Sequence, residues 1–196
     1  MKLHEAITGR LQEFIEAQPM FFVATAPAGA DGHINISPKG LDGSFAVLDE
    51  HRVAYLDYGG SGAETIAHLR DNGRIVVMFC AFGGPPNIVR LHGKGRAHLL
   101  DGPGFAELLA AFPAPAPGVR AVIEVEVDRI SDSCGYGVPE MEYVGHRDLL
   151  PRFWERKSPE EAADYRARKN AVSIDGLPAI PVTAPSTVGR VAGEGG

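Results

Sequence analysis

Tyr58-Gly59-Gly60-Ser61-Gly62-Ala63-Glu64-Thr65 joins the end of a β-branched, apolar run (Arg52 to Tyr58) to the start of a helical pattern (Gly62 to Asn72). A strand that passes to a helix through glycines opens a doubly wound fold only if strands and helices keep alternating. They do not. Strands are predicted at Met20 to Ala24, His33 to Lys39, Ser44 to Leu48, Arg52 to Tyr58, Arg74 to Phe82, Ile88 to Leu99 and Val119 to Ile130. Only one further helical pattern, Pro103 to Phe112, interrupts them. Many strands in close succession predict a barrel. The first two strands, with the turn-rich Pro27 to Gly32 between them, form a hairpin.

Outward from this centre, Leu3, Ile7, Leu11, Phe14 and Ile15 recur at helical spacing until Pro19, predicting an N-terminal amphipathic helix. Pro113 to Gly118 holds three prolines but reads as a stiff loop, because a strand pattern resumes at once. Ser158, Pro159 and Glu161 supply an N-cap, a first-turn proline and a capping-box acid for a late helix ending near Arg166, Arg168 and Lys169. The expected organisation is one mainly β domain with flanking helices over 1–176, including a C-terminal helical extension, and a loosely ordered tail over 177–196.

Composition narrows the function. The net charge is -6, so no global basic field exists to hold nucleic acid or an anionic membrane, and any anion site has to be local. The two cysteines, Cys80 and Cys134, form no Cys-x-x-Cys pair, and no apolar run approaches membrane-spanning length. A cytoplasmic protein is expected. The seven histidines show no metal-ligand spacing.

Four segments carry candidate chemistry. In the opening octapeptide, Ser61 and Glu64 fit a capping box, and the glycines let backbone N–H groups approach a phosphate at the helix N-terminus; an ordinary capped helix reads equally from these residues. At Asn35-Ile36-Ser37-Pro38-Lys39-Gly40, a proline inside a strand marks an edge or a bulge. Lys39 there is either a solvated lysine or a cation for a phosphate or a reduced flavin. Arg90, His92, Lys94 and Arg96 share one strand face by their period of two, as a phosphate wall or a solvated face. The glycine-rich loop Ser131 to Pro139 could shape a pocket, with no base partner evident for Cys134.

In this order, from Met20 to Asp148, the segments resemble the flavin-binding split β-barrels of the pyridoxamine 5'-phosphate oxidase-like superfamily. The resemblance implies a homodimer with FMN in the groove between two chains. By position it implies Ser37, Pro38, Lys39 and Gly40 beside the isoalloxazine ring and Tyr58, Ser61, Gly62 and Thr65 near the ribityl phosphate. It places Arg90 on the neighbouring strand and Cys134, Gly135 and Tyr136 against the ring from the partner chain. Where oxidases of vitamin B6 phosphates carry an Arg-Leu-His-x-Arg-like run, this chain has Glu155, Arg156, Lys157 and Ser158 after Phe153-Trp154, so that substrate grip is missing. The implied activity is an FMN-dependent oxidoreductase acting on a small molecule by hydride exchange at flavin N5. Deazaflavin and haem are the alternative cofactors, and a non-catalytic flavin or haem binding protein is the alternative function.

Overall fold

The computed structural model describes residues 1–181. Its elements are β1 (Lys2–His4), α1 (Gly9–Glu16), β2 (Met20–Thr25), β3 (Asn35–Gly40), β4 (Phe45–Asp49), β5 (Arg52–Tyr58), α2 (Glu64–Asp71), β6 (Arg74–Cys80), β7 (Ile88–Leu99), α3 (Phe105–Leu109), β8 (Val119–Ser133), α4 (Leu149–Glu155) and α5 (Pro159–Lys169). The strands pair antiparallel in one sheet of order β3-β2-β6-β7-β8-β5-β4, with β1 added on β8.

One connection forces the sheet to curl. β3 and β4 sit at opposite ends of that order, yet only residues 41–44 separate them. Six inter-strand spacings of a flat sheet cover about 29 Å. Five peptide units reach about 17 Å at most. The two ends therefore have to meet. Where they do, the Phe45 ring lies edge-on to Phe21 at 5.1 Å and to Phe79 at 5.0 Å. Phe21, Val23, Val53, Tyr55, Val77, Phe79, Leu91 and Ile123 fill the interior. Ile66, Ala67 and Leu69 of α2 join the same core, while Phe105 and Phe112 cover the opposite face of β5 and β8 at Ala54, Leu56 and Val122.

The structure revises several boundaries. Lys2–His4 is a strand paired with the end of β8, so the N-terminal helix is confined to Gly9–Glu16. Leu3 and Ile7 fit a helical period only by chance of spacing, since the pairing offered by the long β8 satisfies the backbone of the first residues. The helix after the glycine turn starts at Glu64, and its N-cap is Ala63 with no side-chain cap bond, so the Ser61–Glu64 capping box does not form. The capping box of Ser158 and Glu161 does form. β8 continues to Ser133, into the segment read as loop. Residues 177–181, read as the start of a loose tail, pack instead: Ala179 is buried in the main core and its carbonyl accepts from Arg70 Nη1 at 2.6 Å. The rest of that expected tail lies outside the described residues.

α4 adds a helix that the sequence analysis did not delimit, and its Pro151 falls in the first turn, where a helix tolerates it. Its Trp154 is buried, and the indole covers Gly59 and Gly118 so closely that a Cβ on either would collide with it. Gly118 also has φ +94. Gly118→Ala should therefore cost about 2–4 kcal/mol. Urea unfolding followed by the emission of Trp154, the single tryptophan, would check this, with a native spectrum already shifted to the red in the variant.

Candidate functional site

β3 is built inside out. Its register against β2 pairs Lys39 with Phe21, Ser37 with Val23 and Asn35 with Thr25. Directly opposed residues share a face, so these three polar side chains point to the same side as the buried Phe21 and Val23. Ile34 and Ile36 face outward and are 77% and 64% exposed. A strand with its polar side inward is tolerable only because the barrel is open beside it. As an edge strand, β3 also accommodates Pro38 without disturbing a second ladder.

Lys39 crosses the opening. Its Nζ lies 2.7 Å from Oδ1 of Asp57 on β5, whose other oxygen, Oδ2, accepts from Arg120 Nε at 2.8 Å. Asp57 is fully buried and Arg120 is 5% exposed. Opposite Asp57 and Tyr58, β8 carries a register shift: Asp57 pairs with Ala121 and Tyr58 with Val119, leaving Arg120 as the extra residue. Such a bulge re-aims a side chain, here toward the carboxylate. Burial alone pushes the Asp57 carboxyl up, but the charges and hydrogen bonds of Lys39 and Arg120 more than offset it and hold it at about 2. The three groups keep one net positive charge.

The glycine turn forms the other wall. Its carbonyls are tied from behind: Gly59 O accepts from Trp154 Nε1 at 3.0 Å, Gly60 O from Asn170 Nδ2 at 2.9 Å and Gly62 O from Arg120 Nη1 at 2.7 Å. A peptide carbonyl and the N–H bonded to its carbon point opposite ways, so tying the oxygens turns the N–H groups of Gly60, Ser61 and Ala63 away from the extension. No hydrogen-bond partner for these N–H groups occurs among the described residues. Asn35, Ser37, Pro38, Lys39, Tyr58, Gly60, Ser61, Gly62, Glu64, Thr65 and Arg120 together line a cleft of about 340 Å³. Burial pushes the Tyr58 phenol up, so it remains a protonated donor there.

Seven of the expected site residues, Ser37, Pro38, Lys39, Tyr58, Ser61, Gly62 and Thr65, thus meet in one cleft. Gly40 lies just beyond it, against Pro19 and His146. Arg90 is elsewhere: the register Pro38–Phe22–Met78–Arg90 places it on the outward face, three strands from β3, where its Nη1 donates to Ser133 Oγ at 3.1 Å. Cys134 and Tyr136 are exposed and Gly135 is buried against Asn87, none of them at this cleft. Asp57, Arg120, Trp154 and Asn170 escaped the sequence reading. A charged residue inside an apolar run, as Asp57 and Arg120 both are, was the available signal for two of them.

An antiparallel sheet curled onto itself, with a charged cleft at the seam where its ends meet, defines a split β-barrel with a small-molecule cleft. A family model described as pyridoxamine 5'-phosphate oxidase matches residues 7–134. The chain is 38% identical to the pyridoxamine 5'-phosphate oxidase family protein ustO of Aspergillus flavus, over 90% of this chain and 77% of that protein. The fold is similar to crystal structures of HupZ from Group A Streptococcus (TM-score 0.53, 23% identity, covering 69% of this chain and 99% of that one) and of its H111A variant (TM-score 0.53, 24% identity, 65% and 99%). The chain belongs to the pyridoxamine 5'-phosphate oxidase family.

Asp57→Asn should cost about 3–5 kcal/mol at neutral pH, because it leaves the buried Arg120 and the partly buried Lys39 without their counter-charge. Chemical denaturation of both proteins would measure it. In the parent protein, a carboxyl near 3.9 when unfolded and held at about 2 when folded contributes stability that is complete above about pH 4. That contribution, about 2 kcal/mol, is lost as pH falls from 4 through 2, and the asparagine variant should lack this part of the acid transition.

Proposed function

We propose that this chain is a flavin-dependent oxidoreductase, a homodimer that seats the ring of FMN, or of a flavin with the same ring, in the Lys39 cleft. When bound, such a ring supplies hydride exchange at N5 with a small molecule. The observation that carries the proposal is the single net positive charge of Lys39, Asp57 and Arg120 at the cleft floor. A reduced flavin gathers negative charge at N1 and O2, and a cation held in place beforehand stabilises it without reorganisation. Only one of the three ammonium protons of Lys39 is needed for Asp57, so two remain to donate into the cleft. Asn35 and Ser37 add polar groups along the same edge, while Tyr58, Ser61 and the N–H groups of the turn offer donors to a ribityl tail.

Dimerisation is supported by the outward face of β3. Ile34 and Ile36, with Phe22 and Met78 half-buried beside them, form an apolar surface on a protein of net charge -6. In this proposal a second copy covers that surface and brings Cys134, Gly135, Tyr136 and Arg90 toward the ring. The haem alternative has less support, since no histidine, cysteine or methionine lines the cleft among the described residues.

Protein purified without added cofactor, then incubated with FMN and desalted, should retain flavin absorption bands. Lys39→Met should weaken retention at least about tenfold and lower the reduction potential of whatever flavin remains bound. Ile36→Lys should convert the dimer to a monomer on size exclusion and lose the flavin with it. A protein that stays colourless after FMN would overturn the reading.

A further inference from the structure

The cleft's charges do not suit both ends of FMN. Lys39 and Arg120 are each engaged by Asp57 beneath them, and a second carboxylate, Glu64, lines the cleft at the first turn of α2. Two positive and two negative side chains sum to zero. Lys39 stands at one end and the Glu64 carboxylate at the glycine turn, where the tail of a seated flavin would end; Arg120 lies between them, its Nε on Asp57 and its Nη1 on Gly62 O.

Glu64 is fixed in that place. Its Oε1 accepts from the N–H of Ile174 at 3.2 Å, and the lack of a side chain on Gly62 leaves room for the carboxylate over the turn, where a Cβ would collide with it. Asn170 holds the same turn through Gly60 O, so residues 170–174 brace both the turn and the carboxylate. The N–H groups at 60, 61 and 63, which have no partner among the described residues, attract oxygen-rich groups, and at a helix N-terminus they would ordinarily favour a phosphate. A carboxylate held in the same first turn already takes up that favourable field and repels a second anion. A hydroxyl meets no such repulsion and still receives the N–H donors.

Resting on the flavin reading above, we propose that Glu64 determines which flavin tail the cleft accepts, selecting against a doubly charged phosphate, so that riboflavin, with its uncharged hydroxyl tail, binds at least as well as FMN. Lys39 recognises the ring in both cases. Discrimination comes from the tail alone.

The test is a titration of the protein with riboflavin and with FMN, following quenching of flavin fluorescence. Wild-type protein should bind riboflavin as tightly as FMN or more tightly. Glu64→Gln keeps an oxygen for the Ile174 N–H and removes only the charge; it should tighten FMN about tenfold and move riboflavin less than about twofold. Glu64→Ala, which also gives up the Ile174 contact, should show the same FMN-to-riboflavin ratio as Glu64→Gln, since charge sets that ratio. Wild-type protein that binds FMN tenfold more tightly than riboflavin would overturn the proposal. So would a Glu64→Gln variant in which both flavins change alike, since that is the mark of a merely structural residue. If neither flavin binds wild-type protein or either variant, the flavin reading itself fails and takes this inference with it.

Discussion

A carboxylate with no access to water, gripped by one cation from each of two strands, holds this molecule's seam together. Asp57 belongs to β5, Lys39 to β3 at the far end of the sheet, and Arg120 to a bulge in β8. Leaving any one unpaired in the interior would be costly, so the three positions constrain one another. The curl of the sheet brings them within reach, and their mutual neutralisation keeps the ends of the sheet in register. The cleft follows from the same constraint. It is the space left where the seam is closed by long polar side chains and not by a continuous ladder of hydrogen bonds.

Much of this was written locally. Arg52–Tyr58 and Ile88–Leu99 have the limits that their β-branched runs predict, and Ser158-Pro159-Glu160-Glu161 starts its helix where capping chemistry requires. Ser37-Pro38-Lys39 and Tyr58 to Thr65, which the structure brings into one cleft, stood out in the sequence because proline in a strand and clustered glycines are costly without a purpose. What local pattern could not supply was pairing at long range. Lys2–His4 is a strand only because β8 is long enough to receive it, and Trp154 and Asn170 reach the site across 95 and 110 residues of chain. Ser61 and Glu64 satisfy a capping rule by spacing, but Glu64 is drawn to Ile174, a partner that no window around the helix contains.

Family membership and the site carry different weight. The family match fixes the architecture over 7–134, whereas Trp154 and Asn170 lie beyond that span and shape the turn from outside it. A barrel shared by many proteins can therefore be given a distinct cleft by what is appended to it, without altering a strand.

The same distance in sequence has a temporal meaning. A chain emerging from the ribosome completes β2 through β8 by Ser133, yet the carbonyls of Gly59 and Gly60 find their partners only when residues 154 and 170 follow. The barrel can close well before the cleft acquires its final form. During that interval the nascent protein has most of its core and the Lys39–Asp57–Arg120 group, but the glycine wall of the cleft still lacks its braces.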